Sequence, residues 1–107
     1  MQFSDYAVAA RATNVFPAGT VLPLILGLCG ESGEVAELIK KNERDHGGIM
    51  DAERRDLLKK ELGDVLWYLS NIADVCGFSL EEAATANLAK LQDRAARGVI
   101  HGMGDNR

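Results

Sequence analysis

Two long segments of the chain repeat their apolar residues every three or four positions, and this period constrains the fold more than any other sequence feature. Residues with this spacing lie on one face of an α-helix, so each series indicates a helix with a buried stripe. No segment shows the alternate-residue pattern of a half-buried strand. The clearest series consists of Leu58, Leu62, Val65, Leu69, Ile72 and Cys76.

Glycine and proline residues divide the chain into four helical segments and a glycine-rich tail. Ser79 and Glu82 have the spacing of a capping box, which satisfies backbone N–H groups at a helix start. Gly77 and Gly98 are suited to end helices. We therefore predict an all-α fold, a helical bundle of about four helices, in a single domain over residues 1–107. The predicted helices cover residues 4–13, 22–42, 51–75 and 79–96.

The charge balance excludes one class of function and the length favours self-association. The 107 residues include 12 Lys and Arg against 16 Asp and Glu, a formal net charge of -4. Proteins that bind a nucleic-acid polymer depend on clustered basic residues, so we expect no such partner. A chain this short buries only roughly two-thirds of its unfolded surface, which favours an oligomer.

Neither the N-terminus nor the interior has a targeting or membrane signal. The first residues lack the basic and apolar regions of a signal peptide, and no apolar run reaches the roughly 18 residues of a membrane span. We expect a cytoplasmic protein without membrane contact. Cys29 and Cys76 both lie in apolar helical patterns and are predicted to be inert core thiols. His46 and His101 are predicted on the surface, in a loop and in the tail.

Two pairs of acidic residues interrupt the apolar faces of the second and third helices. Glu31 lies in the seam of the second helix, and Glu34 follows three residues later. Glu61 and Asp64 have the same spacing on an inward face of the third helix. If these helices pack antiparallel, four carboxylates meet inside the bundle, and unpaired buried like charges are costly. Oxygen-only ligands in this number suit Mg²⁺, with Mn²⁺ as a substitute.

The competing interpretation is that these acids are ordinary solvated helix residues. One acidic pair alone favours that view. Two pairs within apolar seams, flanked by Gly30, Gly33 and Gly63 that let a ligand approach, favour the metal site instead. A non-catalytic interaction module, whose acidic stripe binds a basic partner and whose metal is incidental, also remains open.

The last helix carries a polar and basic face. Its residues Asn87, Lys90, Arg94 and Arg97 recur at helical spacing, and Lys60 precedes the second acidic pair. Such residues donate hydrogen bonds to phosphate oxygens. The alternative is a solvated face whose cations stabilise the end of the helix.

Together these residues resemble the MazG-like all-α nucleoside triphosphate pyrophosphohydrolases, whose signature is E-x-x-E followed after a spacer by E-x-x-D. The matching runs are Glu31-Ser32-Gly33-Glu34 and Glu61-Leu62-Gly63-Asp64. The basic element from Asn87 to Arg94 and the Gly104 to Arg107 tail also look like that family.

The resemblance implies a bundle completed by dimerisation, as a homodimer or homotetramer, that uses Mg²⁺ to split a nucleoside triphosphate into the monophosphate and pyrophosphate. The small size and the lack of a second domain suit nucleotide-pool house-cleaning as the role; a dUTPase-like, dCTPase-like or phosphoribosyl-ATP pyrophosphohydrolase is the alternative. Trp67 and Tyr68 are candidates for base stacking, or else core or interface residues. Carried over by motif, the metal ligands and catalytic residues are Glu31, Glu34, Glu61 and Asp64, and the substrate-binding residues are Lys60, Asn87, Lys90 and Arg94.

Overall fold

The structure, a computed structural model, describes all 107 residues and consists of four α-helices without strands. The helices are α1 (Phe3–Ala12), α2 (Leu22–His46), α3 (Ala52–Cys76) and α4 (Leu80–Ala96). The all-α prediction is confirmed. The largest difference in boundaries is at α2, which continues to His46 instead of ending at residue 42. His46 is exposed, as predicted, but it lies on the helix and not in the loop.

Local sequence explains where the helices begin and end. The Ser79 and Glu82 capping box forms: Glu82 N–H donates to Ser79 Oγ (3.0 Å) and Ser79 N–H donates to Glu82 Oε2 (2.6 Å). Gly47 and Gly77 follow α2 and α3 with φ angles of 60° and 85°. This left-handed conformation is open to glycine because it has no Cβ. Both helices therefore stop where a turn is needed.

The α2 and α3 helices form the most extensive contact in the molecule. Gly27 faces Tyr68, and Glu31 lies near Asp64, so residue numbers rise along one helix as they fall along the other. The two helices are antiparallel, as the short connection between them requires.

Polar contacts hold α1 against the second half of α3. Arg11 forms a bidentate ion pair with Asp74, with distances of 2.7 and 3.0 Å. Trp67 Nε1 donates to Thr13 Oγ1 at 2.7 Å. The buried Asn71 side chain donates to the carbonyl of Ala10 at 3.5 Å. The remaining helix, α4, packs on α1 and α3 and does not contact α2.

A single chain leaves much of its apolar surface uncovered. Only Ala10, Leu24 and Ala73 are fully buried apolar residues. The radius of gyration is 16.7 Å, compared with about 13 Å for a compact domain of this length. The large apolar side chains left exposed on α2 and α3 include Leu22, Ile25, Leu26, Ile39, Leu57, Leu62 and Leu69.

The prediction that Cys29 and Cys76 are core thiols is wrong, because both residues are exposed. Each lies on a helix face with the expected apolar pattern, but no other helix of the chain covers that face. The structure also contains no helix that is long and apolar enough to cross a membrane.

Candidate active site

Three acidic side chains from α2 and α3 converge at the contact between the two helices. One carboxylate oxygen each from Glu31, Glu61 and Asp64 lies within 4.8 Å of the other two. Glu31 and Glu61 are half-buried and Asp64 is exposed. The cluster exists because an i,i+3 pair on α3 faces a single glutamate of the antiparallel α2.

The surface around this cluster is open. A Cβ added at Gly30, Gly33 or Gly63 would meet no other atom within 4 Å. These glycines flank the acids in sequence, so no other part of the chain covers the helix surface at these three positions.

Glu31 lies within the negative charge of the neighbouring carboxylates. Its pKa is raised, first because burial disfavours the charged form and then because Asp64, Glu61 and Glu34 add negative charge nearby. No basic group contributes to this shift. A hard divalent cation with carboxylate ligands would relieve the repulsion, and an all-oxygen donor set is the kind that Mg²⁺ and Mn²⁺ take. The residues present therefore fit such an ion.

The fourth predicted ligand, Glu34, lies outside the group of three. It is exposed on α2, one turn beyond Glu31, and is close enough to raise the Glu31 pKa. The next acid along α2 is Glu37, whose negative charge is balanced by two lysines of the same helix. It pairs with Lys40 at 2.9 Å and Lys41 at 3.8 Å, and the hydrogen bond from Lys40 is the main cause of its lowered pKa.

A cleft of about 340 Å³ lies beside the acids. Trp67 and Tyr68 form one wall with their rings edge to face, 4.9 Å apart and inclined at 84°. The other lining residues are Thr13, Glu31 and Asp64. Both aromatic residues singled out from the sequence thus lie next to the carboxylates, and the bond from Trp67 to Thr13 fixes the indole in place.

The site includes Tyr6 of α1 and Thr13, the residue that follows α1, neither of which was identified from the sequence. Thr13 lines the cleft. The pKa of Tyr6 is raised, first by burial and then by the nearby negative charge of Asp64. Tyr6 and Ala10 of α1 and Thr13 at its C-terminal cap are spaced by four and three residues, and Ala10 is buried. That spacing places all three on the face toward α3. This spacing is the sequence pattern that could have assigned Tyr6 and Thr13 to the site.

Two of the four predicted phosphate donors bind a carboxylate of the C-terminal tail. Lys90 and Arg94 both bind Asp105 in the C-terminal tail, at 2.9 and 3.1 Å from its Oδ1 atom. Arg94 is buried, whereas Lys60 and Asn87 are exposed. The structure therefore brings two of the four donors together, on a carboxylate of the same chain.

Comparison with known proteins assigns the family. The sequence pattern of the MazG nucleotide pyrophosphohydrolase domain matches residues 20–99, which include the three acids but neither α1 nor the end of the tail. The chain is 41% identical to the Gene 37 protein of Mycobacterium phage L5 over 114 aligned positions that cover both proteins completely.

A second similarity is to dCTP pyrophosphatase 1 of Bos taurus. It is 35% identical over 80 residues, which make up 73% of this chain and 46% of the bovine protein. No solved structure matches the chain. The family match covers most of the sequence, and the paired acidic motifs lie within it; this chain belongs to the MazG nucleotide pyrophosphohydrolase family.

Proposed function

We propose that the protein is a Mg²⁺-dependent nucleoside triphosphate pyrophosphohydrolase that releases a nucleoside monophosphate and pyrophosphate. The observation that carries this proposal is the convergence of Glu31, Glu61 and Asp64 beside the aromatic cleft. Family membership supports the reaction class. The carboxylates and the cleft support a substrate that has both a polyphosphate and a nucleoside.

In this proposal, Glu31, Glu61 and Asp64 hold the metal, and Glu34 completes the ligand set from the next turn of α2. When bound there, Mg²⁺ would neutralise charge on the triphosphate, lower the pKa of the attacking water and stabilise developing negative charge. A carboxylate not fully engaged as a ligand accepts the proton of the water. The water oxygen forms a bond to one phosphorus of the anhydride between the α- and β-phosphates as the bridging P–O bond to that phosphorus breaks, and the monophosphate and pyrophosphate are released.

The cleft beside the acids is the proposed nucleoside site. Trp67 and Tyr68 present aromatic surface at one wall, and Thr13 holds the Trp67 ring in position. Aromatic surface next to a polar, charged site suits a flat base with a polyphosphate tail. The bovine relative named as a dCTP pyrophosphatase makes dCTP the first substrate to test.

We further propose that the active form is a homodimer or homotetramer. The exposed apolar residues of α2 and α3, together with the large radius of gyration, support a second copy of the chain as the cover for these faces.

The deciding experiment is a screen of the common NTPs and dNTPs, with and without Mg²⁺, that resolves pyrophosphate from orthophosphate. We expect metal-dependent release of monophosphate and pyrophosphate. Asp64→Asn should lower kcat by at least about 100-fold, because it removes a charged metal ligand. Asp56→Asn is the matched control, since Asp56 lies on the exposed face of the same helix and pairs with Lys59.

Two results would contradict the proposal. Full turnover by Asp64→Asn would exclude Asp64 as a ligand. Binding of Mg²⁺ without turnover of any nucleotide would favour the non-catalytic module, in which the acidic cluster serves only as a contact surface.

A further inference from the structure

The last ten residues fold back on the end of α4 and are held there by arginines. Arg107 donates to the carbonyls of Val99, Ile100 and Gly104, at 3.2, 2.9 and 2.6 Å. In return, Arg97 donates to the carbonyl of Arg107 at 2.7 Å. The chain itself therefore orders its glycine-rich tail.

Asp105 is the point where this tail meets α4. Its Oδ1 atom accepts from Lys90 at 2.9 Å and from Arg94 at 3.1 Å, and its main-chain carbonyl also accepts from Arg94. The hydrogen bonds from Lys90 and Arg94 hold the pKa of Asp105 below its usual range. The carboxylate is therefore charged at neutral pH.

The two sides of this contact differ sharply in exposure. The Arg94 side chain is 5% exposed, and its Nε atom is buried without a hydrogen-bond partner. The Asp105 side chain is 79% exposed. The Arg94 side chain is thus enclosed, whereas the Lys90 side chain is 38% exposed and Asp105 lies on the surface between Gly104 and Asn106.

A buried guanidinium and an ammonium one helical turn apart form a site for an oxyanion. The Asp105 carboxylate pairs with this site only in part. A single carboxylate oxygen accepts the hydrogen bonds from both Lys90 and Arg94, and the Nε atom of Arg94 has no hydrogen-bond partner. A phosphate group carries more negative charge and more acceptor oxygens than a carboxylate. It can therefore compete for the same cations.

We propose that Asp105 is a built-in ligand of the Lys90 and Arg94 site, and that a polyphosphate displaces it and releases the tail. This inference rests on the proposed function, because the displacing group is the phosphate chain of the substrate or the pyrophosphate product. In the resting protein the tail lowers the affinity of the site for phosphates. When the tail leaves, Arg94 becomes accessible.

The first test measures pyrophosphate binding by calorimetry in the presence of Mg²⁺ and needs no turnover. Asp105→Asn removes the competing charge, so pyrophosphate should bind about three- to tenfold more tightly than to the wild type. Glu81→Gln is the matched control, because it removes an exposed acid of the same helix that forms no ion pair with Lys90 or Arg94. Its affinity should equal that of the wild type.

The second test follows the tail directly by hydrogen exchange of residues 98–107 in the wild-type protein. Saturating pyrophosphate should increase exchange in this segment, since the bonds to Lys90 and Arg94 are lost. If a substrate has been found, Asp105→Asn should lower KM by a similar factor and leave kcat unchanged.

Several outcomes would overturn the proposal. One is that Asp105→Asn binds pyrophosphate no more tightly than the wild type, and another is that neither protein binds pyrophosphate. The third is that pyrophosphate leaves hydrogen exchange in residues 98–107 unchanged or slows it. A drop in kcat with KM unchanged would instead make Asp105 a positioning residue. If the nucleotide screen fails, only the proposed reaction is contradicted, because the pyrophosphate measurements do not depend on turnover.

Discussion

Tyr68 of α3 lies against the backbone of α2 at Gly27, so closely that a Cβ on residue 27 would overlap the phenol ring. This approach occurs one helical turn before Glu31 on α2 and one turn after Asp64 on α3. The glycine thus sets the separation of the two helices next to the acid cluster. It also fixes the ring that forms one wall of the cleft.

Replacing this glycine should disturb the site from within the fold. We expect Gly27→Ala to lower the free energy of unfolding by about 1–3 kcal/mol, because the added methyl group must push Tyr68 or α2 aside. Urea denaturation measures the change. Gly33→Ala is the matched control: a Cβ there meets nothing within 4 Å, so the substitution should be neutral or slightly stabilising. Equal stability of both variants would contradict the close contact.

Glu31 makes the metal-free protein sensitive to pH. Because its pKa in the folded protein is raised above 4.5, the folded state binds this proton more tightly than the unfolded chain. Its contribution therefore favours folding increasingly as pH falls through the folded pKa toward 4.5. Without metal at neutral pH, Glu31→Gln should raise Tm by about 1–4 °C by removing repulsion from Asp64 and Glu61.

The same variant also tests the metal site. Added Mg²⁺ should raise the Tm of the wild type but have little effect on Glu31→Gln, because the substitution removes a charged ligand. Thermal unfolding with EDTA and with Mg²⁺ gives both quantities. Glu43→Gln, an exposed position on the same helix, should behave like the wild type. An equal Mg²⁺ response from Glu31→Gln would exclude Glu31 as a ligand.

The helices and the two acidic motifs could be predicted because they depend on local spacing. The three- and four-residue period sets the helices, the Ser79 and Glu82 pair marks one start, and the i,i+3 acids share a face. Their convergence needed only the further assumption of antiparallel packing. The structure brings Glu31, Glu61 and Asp64 together in this way.

The remaining features depend on which surfaces meet, and a periodic pattern does not specify that. The spacing of Leu62 and Leu69 predicts a buried stripe, yet they are 50% and 41% exposed because no other helix of the chain covers them. Cys76 is exposed for the same reason. Conversely, Arg94 is buried although its spacing places it on a polar face, and its guanidinium binds Asp105 of the tail, 11 residues further along the chain.

Trp67 is the single tryptophan of the chain, so its fluorescence reports on the cleft. We expect nucleotide binding to change this emission. Thr13→Val removes the hydroxyl that accepts the indole N–H, at a cost of about 0.5–1.5 kcal/mol, and should weaken nucleotide binding by about two- to tenfold. Thr20→Val is the control, since that hydroxyl donates to Pro17 instead. Unchanged emission on saturation with nucleotide would place the base elsewhere.

The uncovered apolar faces lead to a prediction about assembly. At micromolar concentration, light scattering should give the mass of a dimer or tetramer, since burying these faces gains about 25 cal/mol per Å² of apolar surface. Leu69→Glu places a charge on the α3 face and should shift the population toward monomer. Ile49→Glu is the matched control, because Ile49 is also exposed but lies in the loop between α2 and α3. A monomeric wild type would exclude a second copy as the cover. An oligomer unaffected by Leu69→Glu would place the contact on other apolar residues, such as those at the start of α2.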